Sequence, residues 1–220
     1  YTLSLHDALP ISKALEAYQE AGEDPKALEC IPMLKRSDIK REAAKIINEE
    51  LTVDDSLFLY HDVCTNGIGY VDLMFKTDSI APEQIPYLGL LKSVLGYVDT
   101  ENYTYGELFN EINANTGGIN CGVEVFDRAD STEEFQAMFS VRGKALYTKM
   151  DFLFKMIVEI LNSSKLEDTK RLYEIVASVK SRAQVNLTGA GHSTAVLRAA
   201  AYSSPMAAYQ DEMAGIGYYQ

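Results

Sequence analysis

Cysteine, histidine and positive charge are all scarce in this 220-residue chain. Its three cysteines, Cys30, Cys64 and Cys121, are odd in number and far apart, without the short paired spacing of a zinc knuckle or a redox motif. They fit a reducing compartment, and the expected location is a bacterial cytoplasm, or an organellar matrix if the source is eukaryotic. Lys and Arg number 20 against 32 Asp and Glu, a net charge of −12. Such a field repels a phosphate backbone, so nucleic acid is excluded as an expected partner. It favours cations or basic peptides over anions, although an acidic surface also serves only to keep a chain dispersed. Long apolar runs are missing as well. No stretch nears the ~18 uninterrupted apolar residues of a membrane-spanning helix, so no membrane partner is expected. What remains is ordinary for a folded protein: 47% hydrophobic and 24% charged residues.

The chain opens on Tyr1 and closes on Gly217-Tyr218-Tyr219-Gln220 without a polar tail, so both ends are expected to be cuts. The opening YTLSLHDALPI is similar to a peptide translated from sequencing-adaptor DNA. Residues 1–11, His6 included, are therefore set aside as an expected artefact. Residues 12–52 read as the end of a helical linker. Ser12 to Ala21 closes a helix, Gly22-Glu23-Asp24-Pro25 turns into a short one, Ile31-Pro32 breaks it, and a charged arm covers Ile39 to Ile47.

From residue 53 the pattern becomes that of a domain. Ser56–Asp62 and Ile68–Lys76 are β-rich, and Asn66-Gly67 between them predicts a hairpin joining the two. Ile85, Leu88, Leu91 and Leu95 recur at helical spacing after Pro82, predicting a helix from Pro82 to about Tyr97. Thr104-x-x-Glu107 is a capping box that starts another, ending at Gly117-Gly118. Strands follow at about Ile119–Phe126 and Glu134–Gly143. Two amphipathic helices come next, marked by Met150, Leu153, Ile157 and Leu161 and then by Leu172, Ile175 and Val179, each expected to pack on the sheet. Gly189-Ala190-Gly191 ends the second. Two shorter helices complete an α+β order: a mostly antiparallel sheet covered on one side by helices.

Chemistry is thinly represented. Outside the artefact only His61 and His192 remain, and no carboxylate brackets either at metal-ligand spacing. The motif His-x-x-Glu-His is absent. Gly189-Ala190-Gly191-His192-Ser193 has the look of a phosphate loop or of a Ser/His pair. It lacks the P-loop lysine and a preceding strand, and adjacent residues on a helix point apart, so a glycine-rich helix break is the expected reading. Asn115-Thr116-Gly117-Gly118-Ile119 is expected to be a plain turn.

Five ordered blocks are recognisable: LECIPMLKRSDIKRE, HDVCTNGIGYVDLMF, YTYGELFNEINANTGGI, Arg142-Gly143-Lys144-Ala145-Leu146 and GAGHSTAVLRAAAYSSP. Together they resemble the presequence-protease branch of the insulinase/pitrilysin zinc metallopeptidases over residues 13–220. The match is to the associated region, the end of the linker plus the third of four homologous domains.

The resemblance implies a LuxS/insulinase-type domain over 53–220, truncated at its C-terminus. In such a protein two halves joined by the linker enclose unfolded peptides. Zinc is held in the first domain by the inverted His-x-x-Glu-His helix and a later glutamate, none of which falls in this chain. At the corresponding place on the first core helix stands Leu88-Gly89-Leu90-Leu91-Lys92, so leucine, leucine and lysine fill the ligand and base slots. No catalytic, cofactor-binding or metal-binding residue is therefore expected here. The implied role is a noncatalytic chamber wall, with unfolded peptides and the other domains of the same chain as partners. The alternative is an inactive scaffold or core subunit of the same ancestry. A third reading, an independent hydrolase built on His192 and Ser193, requires activity in this chain alone.

Overall fold

In the computed structural model, which describes residues 5–22, 25–42 and 45–219, the chain divides into two units, Tyr1–Val63 and Cys64–Gln220. The first carries helix α1 (Leu5–Glu20), the four-residue α2 (Pro25–Leu28) and strands β1 (Glu49–Val53) and β2 (Ser56–Tyr60). Helix α1 ends within one residue of the predicted stop. Glu23 and Asp24 of the predicted turn, and residues 43 and 44 of the charged arm, lie outside the described residues.

The expected hairpin between residues 56–62 and 68–76 is corrected by the structure. Strand β2 pairs antiparallel with β1, from Glu49↔Tyr60 to Val53↔Ser56. The turn is Asp54-Asp55, both left-handed at φ 48 and 64°. Aspartate tolerates that region because its short side chain can bond its own backbone, but it advertises a hairpin less strongly than Asn-Gly. Asn66 and Gly67 do adopt the positive φ their types promise, 53 and 84°. They form a tight bend instead, in which the Ile68 N–H donates to the Thr65 carbonyl at 3.2 Å.

In the second unit, strands β3 (Ile68–Lys76), β4 (Ile119–Arg128) and β5 (Ser131–Leu146) form an antiparallel sheet in the order β3-β5-β4. Register is set by the alternation of residue type, since a one-residue slip would turn every apolar side chain outward. Leu73 stands opposite Val141, and Val141 opposite Cys121. Val71, Leu73, Phe139, Val141 and Val123 join one core cluster. On the other face Arg142 bridges Asp72 at 2.7 Å and Glu124 at 3.1 Å, tying all three strands together.

The helices are α3 (Ile85–Val94), α4 (Tyr105–Asn115), α5 (Met150–Ser163), α6 (Thr169–Gly189), α7 (Gly191–Ala200), α8 (Pro205–Ala214) and the short α9 (Ile216–Tyr219). Helix α5 supplies the middle of the core, with Leu153, Met156, Ile157 and Ile160 at most 2% exposed. Close approach to the sheet depends on Gly143, where an added Cβ would lie 2.7 Å from the Leu153 Cδ1. The predicted capping box is present: the Glu107 N–H donates to Thr104 Oγ1, and the Thr104 N–H donates to Glu107 Oε2 at 2.9 Å. The architecture is therefore mixed α+β with antiparallel sheets, as the segment order implies. One packing expectation fails. Helix α6 buries Ile175 against Val94 and Val98 of the α3 region and not on the sheet, which α5 already covers.

A buried carboxylate fixes the loop ahead of α4. Glu159 on α5 is 8% exposed and accepts hydrogen bonds from the Asn102 N–H at 3.1 Å and the Asn102 Nδ2 at 2.9 Å. Hydrogen bonds from Thr100 and Asn102 hold its pKa below the ordinary carboxylate value. A depressed pKa stabilises the fold above the ordinary value, and that contribution disappears as pH falls through the lowered one. The stability gap between the parent and Glu159→Gln is therefore expected to be fully open at pH 7 and to close as pH falls below the ordinary carboxylate value, as read by denaturant titration at each pH. A gap independent of pH would contradict this role.

Candidate functional site

The slot Leu88–Lys92 lies on α3, and its residues separate by face. Leu88 is 7% exposed in the core, with Leu91 packed against the same cluster. Gly89 faces α8, where an added Cβ would come within 2.5 Å of the Met213 carbonyl oxygen and 2.9 Å of the Tyr218 ring. Lys92 borders a cleft of about 650 Å3. Two core leucines and an ammonium group do not make a zinc-binding set, since zinc needs neutral imidazole, thiolate or carboxylate donors. Among the described residues no three His, Cys, Asp or Glu side chains gather where they could hold a metal ion.

The cleft lies between the C-terminal end of α3, the start of β4 and one stripe of α6. That stripe is Arg171, Ile175, Ser178 and Arg182, spaced by four, three and four residues and so on one side of a helix. Arg171 is fully engaged. Its Nε donates to the Tyr97 carbonyl at 2.9 Å, its Nη1 pairs with Glu174 at 3.1 Å, and its guanidinium stacks 3.9 Å above the Tyr105 ring. Lys92 and Arg182 differ. Neither has a hydrogen bond or ion pair among the described residues, and burial pushes the Lys92 ammonium below the ordinary lysine value. The charge of Arg182 reaches the Tyr218 phenol, whose pKa burial nonetheless raises. Both cations also border a second cavity of about 240 Å3, so they stand where the two spaces meet. Cys121 lines the larger cleft, where burial pushes its thiol up to about 11 and keeps it protonated and unreactive.

The remaining sequence candidates are not brought together. His61 is exposed and donates from Nδ1 to the Ile47 carbonyl at 2.7 Å, at the open end of the β1-β2 hairpin. His192 and Ser193 are exposed in the first turn of α7, and no hydrogen bond joins them. Gly189 ends α6 and Gly191 begins α7, with Ala190 at the corner accepting from the Thr194 N–H at 3.1 Å. The sequence Asn115–Ile119 is the expected turn, with Gly118 at φ 105°.

Against this geometry, the family of associated regions of peptidase family M16, subfamily C, matches residues 8–220. The chain belongs to that family. Protein HypA of Clostridium perfringens is 36% identical over 216 residues, covering 98% of this chain and 22% of that protein. The mitochondrial presequence protease of Yarrowia lipolytica is 29% identical over 198 residues, covering 90% of this chain and 20% of that protein. Presequence protease 1, chloroplastic/mitochondrial, of Arabidopsis thaliana is 28% identical over 207 residues, covering 94% and 19%. The five recognised blocks thus belong to a chain related to presequence proteases. This chain spans about a fifth of the length of these curated relatives. Among the described residues no helix is long and apolar enough to cross a membrane.

The cationic pair is not visible in the sequence. There Lys92 reads only as a residue unable to bind metal, and Arg182 does not stand out at all. The available signal is the α6 stripe, which places two arginines beside the apolar positions Leu172, Ile175 and Val179.

Proposed function

We propose that this chain is a noncatalytic part of a zinc-dependent endopeptidase that degrades unfolded oligopeptides. In this reading residues 12–52 end the linker between two halves, and 53–220 form a domain that walls the substrate chamber. No residue here is catalytic or binds metal, and zinc is held by an upstream domain. The other domains of the same chain are its immediate partners, and the acidic balance favours basic peptides. Unpaired Cys30, Cys64 and Cys121 fit a reducing compartment, either bacterial cytoplasm or organellar matrix.

The observation that carries the reading is α3. Its Leu88 and Leu91 are packed as core and its Lys92 is a cation, so the helix supports neighbours and does not hold an ion. A wall of this kind assists hydrolysis by enclosing and positioning peptide, while the zinc supplies an activated water elsewhere. The test uses the full-length polypeptide from the source genome. One zinc per polypeptide and cleavage of unfolded peptides are expected, with zinc content unchanged in Lys92→Met. A full-length protein without zinc or cleavage would establish the inactive scaffold in its place.

A further inference from the structure

Lys92, half-buried, and Arg182, exposed at the rim, border one cleft without a bonded anion in a chain of net charge −12. Burying an ammonium group costs free energy unless an opposite charge accompanies it. Lys92 lies between α3 and α6 with no carboxylate bonded to it, while the cleft's own Glu174 is held by Arg171. Arg182 reaches the same boundary from α6, also without an anion, and its planar fork suits a two-oxygen acceptor.

The rest of the cleft narrows the ligand. Phe109, Ile112, Ile160 and Ile175 give it apolar walls, and Gly118–Cys121 run along one side at the start of β4. Strand β4 bonds β5 on one edge only, and among the described residues no strand covers its other edge. An apolar side chain, an extended backbone and a terminal carboxylate together match walls, strand edge and cations.

We propose that the cleft between α3 and α6 is a carboxylate-binding site that takes the C-terminal carboxylate of a peptide on Lys92 Nζ and the Arg182 guanidinium. The choice of a peptide as the source of the carboxylate rests on the peptide-handling function above. That Lys92 and Arg182 act together rests on the two cavities that both of them border.

The test measures binding to the 220-residue chain by isothermal titration, using one short apolar peptide with a free C-terminal acid and the same peptide amidated. The free acid is expected to bind ~10-fold or more tightly than the amide, and Lys92→Met and Arg182→Met are each expected to remove ~10-fold of that preference. Circular dichroism and the thermal midpoint establish that each variant is folded. Ser178→Ala, in the same stripe and without a charge, serves as a variant expected to keep the preference. Equal binding of acid and amide would overturn the proposal. So would a preference that survives in either charge variant, or binding of inorganic phosphate with no binding of either peptide. Absence of zinc or cleavage in the full-length protein would remove the peptidase reading without changing these affinities, so the two failures are distinguishable.

Discussion

Leu153→Ala is expected to destabilise the second unit by about 2–5 kcal/mol, because a fully buried leucine is exchanged for a cavity that its neighbours only partly refill. Leu153 is 0% exposed and sits directly over Gly143, flanked along α5 by Met156 and Ile157. The glycine leaves the leucine its place against the strand, and no side chain on that side can expand into the space. Val158→Ala on the same helix is the control. Val158 is 55% exposed, so its loss is expected to stay within about 0.5 kcal/mol. Urea unfolding followed by far-ultraviolet circular dichroism reads both as midpoint shifts at constant slope. Equal shifts for the two variants would contradict the placement of α5 at the centre of the core.

Asp211→Ala is expected to cost about 2–4 kcal/mol, slightly less than a wholly buried pair because Arg198 keeps some water. Asp211 on α8 is 1% exposed, whereas the Arg198 side chain is 38% exposed. Its carboxylate accepts from Arg198 Nη1 at 2.6 Å, from the Ile216 N–H at 3.1 Å and from the Gly217 N–H at 3.1 Å. One group therefore ties α7 to α8 and satisfies the first two amides of α9. Alanine leaves all three donors without their acceptor, whereas Asp211→Asn keeps one acceptor oxygen and is expected to fall between parent and alanine. Thermal unfolding of the three proteins checks the order. An Asp211→Ala midpoint equal to the parent's would show that the α7–α9 corner is held by something else.

Local signals are the legible part of this fold. The capping box at Thr104 and Glu107 starts α4 at the expected residue because its chemistry is complete within four positions. The apolar stripe of α5 locates that helix for the same kind of reason, as do the alternating residues of β3, β4 and β5. Pairing is less legible. Residues 68–76 bond to 138–146 across several intervening elements, and nothing local distinguishes that partner from the nearer strand at 56–60. Asn66-Gly67 encodes a backbone bend but not which strands the bend joins, so a correct expectation of positive φ accompanies a wrong hairpin. Helix α6 shows the same limit, since its stripe reveals that it is buried against something without naming α3.

The candidate site divides along the same line. That Leu88, Leu91 and Lys92 cannot serve as zinc ligands is side-chain chemistry, readable without coordinates. That Lys92 and Arg182 border one cleft depends on α6 crossing α3, a consequence of packing around Val94, Val98 and Ile175. The sequence contains both cations but not their meeting.

The most direct measurement is metal content and peptide cleavage by the 220-residue chain itself, purified with zinc present and assayed on an unfolded basic peptide. The account predicts zinc far below one ion per chain and no cleavage above the blank. One tightly held zinc per chain, or cleavage that disappears in His192→Ala, would contradict it.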